Sequence, residues 1–287
     1  MSMHRSRFPS RLPRAARTRL GAFLVLMALG LGGCEQVPIT GRSKMTLIKH
    51  DDLVRVGTIV FDQRKLQLGV SHDRELNDRL QRVGRRLADV AFWDVPDADW
   101  EFLVFNQPYE VSAESAPGGK IGVTAGMFKI MKTDGQLAWI VAHEISHLAA
   151  RHADERISQA MIAQGTSLVA AAGVLATGGA GVVAQNGLQA YELSAALMRL
   201  SFDRKQELEA DYMGLIYMAR AGFDPEEGLR SFENLTEATQ DMPRPAAMLS
   251  THPEFPERAI QLIDKMPLAS AEYRSAQSGR RNPPPAK

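Results

Sequence analysis

The chain has 287 residues, 34 of them basic and 33 acidic, for a formal net charge of +1, and 45% are hydrophobic. That length supports one domain with a full core, and the near-neutral balance gives no electrostatic footprint for nucleic acid. A single cysteine excludes a disulfide framework within the chain.

Residues 1–33 read as an export signal. Arg5, Arg7, Arg11, Arg14, Arg17 and Arg19 stand without an acid ahead of the apolar run Leu20 to Leu31, which is too short to span a bilayer comfortably. The run ends in Leu31, Gly32, Gly33 and Cys34, which resembles a bacterial lipobox, a small-residue cleavage site directly before a cysteine that becomes lipidated. Cys34 is therefore the expected lipidation site. Glu35 rather than Asp follows it, similar to the sorting pattern of Gram-negative lipoproteins, so the expected location is the outer membrane, facing the periplasm. Six arginines leave with the signal, so the 34 basic residues fall to 28 against 33 acidic, a mature balance of −5. Residues 34–50, with Pro38, Gly41 and mostly polar neighbours, read as an extended tether to a domain over 51–266.

Within that domain, Asp51 to Leu68 and Asp73 to Ala91 carry apolar residues at helical spacing, such as Leu76, Leu80, Val83 and Leu87. Trp100 to Phe105 reads as a strand, and Pro117, Gly118 and Gly119 as a turn before a short strand from Lys120 to Thr124. Together they predict a small sheet over the helix that follows.

That helix contains WIVAHEISHLAARH, Trp139 to His152, two histidines and a glutamate in an otherwise uncharged apolar stretch. His143 and His147 are four apart and project from one face, so their rings can aim at one point, and Glu144 stands beside them. This is the HExxH pattern, in which the histidines bind Zn²⁺ and the glutamate acts as general base toward water. A catalytic zinc needs a third protein ligand. His152 is the nearest candidate, but its spacing misses the HExxHxxGxxH pattern, where Ala150 and Ala153 occupy the Gly and last His places. It reads better as a surface or capping histidine.

Ile157 to Tyr191 has no charge and is long enough to span a bilayer, but Ala and Gly dominate and Gln164, Gln185 and Asn186 interrupt it. A packed helical hairpin or a mobile flap beside a cleft is the better expectation. Farther on, RKQELEADYMGLIYMA, Arg204 to Ala219, places Glu207 and Asp211 on one helical face. Glu209 is rotated by about 200° from Glu207 and is expected to point to solvent. One carboxylate on the shared face can bind a metal, and the other can accept the N–H of a metal-bound histidine. Spacing alone does not select Glu207 over Glu209. Asp224-Pro225 and Pro256 open further helices, and 267–287, rich in Ser, Pro, Ala and Arg, reads as a disordered tail.

HExxH, then ExEAD over Glu207 to Asp211, then the His-Pro segment STHPEFPER, Ser250 to Arg258, resembles in content and order the HtpX- and BepA-like zinc metallopeptidases, the family that includes the CAAX prenyl proteases. The resemblance runs from about Pro38 to Leu262. It implies an α+β, predominantly helical fold of the zincin (gluzincin) type. It further implies one Zn²⁺ per chain held by His143, His147 and Glu207, Asp211 supporting a ligand, and His252 and Arg258 at the active site. A His and an Arg there can donate hydrogen bonds to the oxyanion of peptide hydrolysis; alternatively, His252 caps the open zinc position and holds the enzyme latent.

Upstream, Ser112 to Phe128 takes the place of the family's NAFAxPGG segment and following strand, with Ser112 for the Asn and Glu114 for the Phe. The resemblance makes Ser112, Ala113 and Glu114, with Lys120, Ile121 and Gly122, the expected strand region for pairing with extended substrate. The resulting expectation is a zinc endopeptidase of the periplasm acting on misfolded or membrane-associated envelope proteins, with the outer-membrane protein assembly machinery as a further partner. The competing expectation is a chaperone or assembly factor that binds unfolded outer-membrane proteins and keeps its zinc site latent.

Overall fold

The computed structural model describes residues 35–164, 195–197, 201–240, 251–253 and 256–279. The elements are β1 (Glu35–Gln36), β2 (Ser43–Lys44), α1 (His50–Leu68), α2 (Arg74–Ala91), β3 (Glu101–Phe105), β4 (Ala113–Ala116), β5 (Lys120–Thr124), a 3₁₀ turn (Ala125–Lys129), α3 (Asp134–Ala149), α4 (His152–Gln164), α5 (Arg204–Arg220), α6 (Glu226–Gln240) and α7 (Pro256–Gln277). Helices dominate, and the sheet is small.

The core is built around α3. Its start is fixed by a capping box, in which Thr133 accepts from the Gln136 N–H while the Gln136 side chain reaches back to the Thr133 N–H. From Gln136 to Ala149 every residue of the helix is buried. A helix apolar all round must be covered on all sides, and α2, α5, α6 and the sheet supply the cover. Trp139 anchors one side, edge-on to Phe232 of α6 at 6.0 Å. The helix α5 begins with a second capping box, Asp203 with Gln206. It approaches α3 closely because Gly214 has no side chain: a Cβ there would lie 3.1 Å from the backbone nitrogen of His143.

The sheet has the order β3-β5-β4, with β5 parallel to β3 and antiparallel to β4. Gly118 and Gly119 make the β4–β5 turn at φ of 93° and 82°, values that side-chain-bearing residues rarely adopt. The strand β4 is one of the two edge strands and packs against α3.

Two expectations need correction. The segment read as a tether is docked: β1 and β2 pair as a hairpin, Val37 enters the core, and Arg42 binds Glu155 of α4. A buried valine and an ion pair across distant parts of the chain hold what composition alone marks as extended. The expected disordered tail is helical as far as Gln277, with Pro267 inside α7. Composition suggested disorder, but Leu262, Ala269 and Tyr273 recur at intervals that share one helical face, and they pack on the core. Arg220 of α5 adds an ion pair to Glu272 at 3.0 Å.

Of the uncharged stretch 157–191, residues 157–164 complete α4 and the rest lies outside the described residues, as do the export signal and Cys34. No helix among the described residues is long and apolar enough to cross a membrane.

Candidate metal centre

Four elements converge on one buried point. The helix α3 contributes His143, Glu144 and His147, α5 contributes Glu207 and Asp211, the segment 251–253 contributes His252, and α7 contributes Arg258. Nε2 of His143 lies 3.1 Å from Nε2 of His147, and each lies 3.5 Å from a Glu207 oxygen. Nδ1 of His252 is 3.0 Å from Glu207 Oε1 and 3.3 Å from His143 Nε2. One atom from each of His143, His147, Glu207 and His252 falls in a group whose members all lie within 4.8 Å of one another, and all four residues are buried.

The charges ask for a cation. Glu144, Glu207 and Asp211 are three carboxylates with no exposure, and the one guanidinium buried among them is that of Arg258. Oε2 of Glu144 accepts from the Ser115 hydroxyl at 2.8 Å, while its Oε1 is buried with no hydrogen-bond partner. A buried carboxylate oxygen without a hydrogen bond is costly. Two imidazole nitrogens face each other beside a carboxylate, a donor set that suits a borderline divalent metal. The residues therefore fit a metal ion.

Proton affinities carry the same message. Burial pushes the His143 ring down, but Asp211 and Glu207 outweigh it and hold its pKa at about 9. Burial, reinforced by the neighbouring charge of His143, pushes His147 well below the usual histidine range. Burial raises Glu207, yet the positive field of His252 and the contact with His143 overcome it and keep Glu207 ionised.

Asp211 supports this arrangement. Its Oδ1 lies 3.0 Å from His143 Nδ1, and both its oxygens accept from Arg258, at 2.7 Å from Nε and 2.8 Å from Nη2. Burial raises the Asp211 pKa, and Arg258 more than reverses it. Arg258 was expected to serve an oxyanion. The structure instead directs it at carboxylates, since Nη1 also meets Glu207 at 3.0 Å. A guanidinium occupied by two buried anions has no free fork to offer a substrate.

Three other expectations change. His152 is not a surface histidine: it has no exposure, its Nδ1 is 2.9 Å from Nδ1 of His147, and its Nε2 is 3.0 Å from Glu209. Glu209 is turned from solvent into that contact, because Arg42 and Thr40 of the docked hairpin reach it from outside. The expected substrate strand is reduced to β4. Lys120, Ile121 and Gly122 lie on the central strand, paired on both sides, and Ser112 exchanges hydrogen bonds with Thr124 just outside β4. Ala113 and Glu114 remain on the edge strand.

A cleft reaches the cluster along β4, lined by Phe61, Ser115, Glu144, Phe202 and His252. At its mouth Arg64 binds Glu114 in a bidentate ion pair, the shortest contact 2.6 Å. Sequence reasoning missed Ser115 and Phe202, the latter stacked on the His147 ring at 3.9 Å between centroids. Ser115 falls at alternate spacing from Ala113 on an edge strand; Phe202 carries no local signal at all.

The chain is similar to known metallopeptidases. It is 33% identical to mitochondrial metalloendopeptidase OMA1 of Arabidopsis thaliana over 72% of this chain and 41% of that protein. It is 27% identical to the protein of the same name in Saccharomyces cerevisiae, over 86% of this chain and 75% of that one. It is 26% identical to the beta-barrel assembly-enhancing protease of Escherichia coli K12, over 79% of this chain and 46% of that protein. The chain thus spans less than half of the Arabidopsis and Escherichia coli proteins. The model of peptidase family M48 matches residues 74–266, from the first turn of α2 into α7. That stretch contains every group of the buried cluster, and with the gluzincin-like, mainly helical fold around it the chain belongs to the M48 metallopeptidases.

Proposed function

We propose that the chain is a zinc endopeptidase of the bacterial envelope that cleaves misfolded or membrane-associated envelope proteins, held at the outer membrane by lipid on Cys34. The observation that carries the catalytic reading is the convergence of His143, His147 and Glu207 beside a Glu144 oxygen that has no hydrogen bond among the described residues. His143, His147 and Glu207 would hold the zinc, and Asp211 orients His143. A bound zinc supplies a Lewis acid that polarises the scissile carbonyl and makes water acidic enough to lose a proton near neutral pH.

Glu144 takes that proton on Oε1 and returns it to the leaving amine, while Ser115 fixes its other oxygen. Extended substrate adds to the β4 edge, which supplies backbone hydrogen bonds with little demand on side chains, a property suited to unfolded proteins. The similarity to a beta-barrel assembly-enhancing protease supports envelope substrates, and the lipobox-like segment ending at Cys34 supports the location.

The test uses the full chain in detergent with an unfolded protein as substrate, compared with Glu144→Gln. The wild type is expected to cleave, a chelator to abolish cleavage, and Glu144→Gln to lose at least about 100-fold, the scale of a general base. Equal cleavage by both proteins rules out this mechanism.

One observation favours a second reading, in which the protein grips unfolded outer-membrane proteins with its zinc site latent. His252 lies inside the ligand group, where it competes with water and substrate for the metal. A Glu144→Gln variant that restores envelope integrity in a deletion strain would support this assembly role.

A further inference from the structure

His143 and His147 are supported in different ways. Behind His143 a carboxylate stands directly on Nδ1, as Asp211. Behind His147 another imidazole intervenes: His147 Nδ1, then His152 Nδ1 at 2.9 Å, then from His152 Nε2 to Glu209 at 3.0 Å. Glu209 in turn accepts from Thr40 Oγ1 at 2.5 Å and Arg42 Nε at 2.8 Å. Arg42 is also bound to Glu155 at 2.7 and 2.8 Å.

The direction of every hydrogen bond in this line is fixed by counting protons. Glu209, paired with a guanidinium that cannot lose its charge, is an ionised carboxylate and can only accept. The hydrogen between it and His152 therefore sits on His152 Nε2. A His147 that binds a metal through Nε2 carries its hydrogen on Nδ1, and His152 Nδ1, 2.9 Å away, is the acceptor placed to take it. A neutral ring with hydrogen on Nε2 has a bare Nδ1, which accepts from His147 Nδ1–H. That leaves the Nε2 of His147 with its lone pair exposed toward His143 and Glu207, the form a metal requires. The opposite order would place hydrogen on Nε2 of His147 and block it.

We propose that His152 and Glu209 are positioning residues that hold His147 in its metal-binding tautomer, and that the hairpin β1–β2 clasps this pair through Thr40 and Arg42. The stretch immediately after Cys34 is thereby part of the support of the metal centre. The inference rests on the reading of His147 as a metal ligand. An ordinary buried ion pair between His152 and Glu209 would stabilise the fold but leave the His147 tautomer and the metal affinity alone, which separates the two cases.

The test uses full-length protein in detergent, stripped of metal and selectively labelled with ¹⁵N-histidine, with zinc affinity read by competition against a chelating dye. In the metal-free wild type, long-range ¹H–¹⁵N spectra are expected to show His147 with hydrogen on Nδ1. His152→Leu is expected to move that hydrogen to Nε2 and to weaken zinc binding about 10- to 100-fold, the range for lost support of a ligating histidine. His152→Asn places an amide oxygen where Nδ1 stood and is expected to keep affinity within about threefold. Arg42→Ala, remote from the cluster and at the surface of the hairpin, is expected to weaken binding severalfold.

Unchanged affinity in both His152→Leu and Arg42→Ala overturns the proposal, as does a wild-type His147 with hydrogen on Nε2. Should His152→Leu fail to fold, the wild-type spectrum and Arg42→Ala decide by the same criteria. A wild type that binds no zinc would instead sink the metal-ligand reading itself, while the tautomer spectrum still tests the relay.

Discussion

Glu144 has two oxygens in different situations, one taking the Ser115 hydroxyl and one bare and buried. That asymmetry lets a single carboxylate be both fixed and reactive, since the held oxygen sets the direction of the free one. Nε2 of His252 lies 3.4 Å from the bare oxygen, and its Nδ1 touches Glu207. In this arrangement His252 fills space that substrate and water need. His252→Ala is therefore expected to raise basal cleavage of an unfolded substrate severalfold with zinc affinity little changed. Loss of activity in that assay would make His252 a donor to the reaction instead. The HExxH triad was readable because its three residues lie on adjacent turns of one helix. Ser115 was not, because nothing in the four-residue strand Ala113–Ala116 distinguishes the serine that meets a glutamate 29 residues away.

At the scale of elements, the site depends on how closely α5 lies on α3. Glu207, Asp211 and Gly214 share one face of α5, the first two directed at the histidines and the third allowing the backbones together. Gly214→Val would push the helices apart, because the nearest atoms to its Cβ are backbone and cannot swing away. Overpacking of about 1–3 kcal/mol is expected, a fall of about 3–10 °C in melting temperature, together with weaker metal binding. A thermal scan and a metal titration check both; a variant with the wild-type metal affinity would show that the helix spacing does not set the site. The face itself was legible from the spacing of Glu207 and Asp211. Which partner it met was not, and Glu209, assigned to solvent by rotation alone, found a partner because a distant hairpin packs outside it.

For the whole molecule, that hairpin ties the start of the described chain to α4 and α5 through Arg42, Glu155 and Glu209. Burial raises the Glu209 pKa, but His152, Arg42 and Thr40 outweigh it and hold it at about 2, below its ordinary 4.5. A carboxylate depressed in the folded state stabilises fully above the unfolded value and loses that contribution as pH falls toward the folded one. Stability is therefore expected to drop by about 1–2 kcal/mol between pH 4.5 and 2 from this group, with solvent screening allowed for. Urea unfolding midpoints across that range check it. Glu209→Gln should flatten this part of the profile, and an unaltered profile would mean that the carboxylate is not held as the geometry indicates.

The sequence by itself determined what depends on neighbours within a turn or two of helix: the HExxH face, the face of Glu207 and Asp211, and the broad order of helices and strands. These follow from periodicity, which is local. Tertiary structure alone decided that His152 and Glu209 stand behind His147, that Arg258 pairs with Asp211 and Glu207, that Phe202 covers the His147 ring, and that residues read as tether and tail are folded. Most of those outcomes turn on which buried side chain finds which partner across tens to more than a hundred positions of chain. That pairing is set by the close packing of whole helices, which local spacing does not encode.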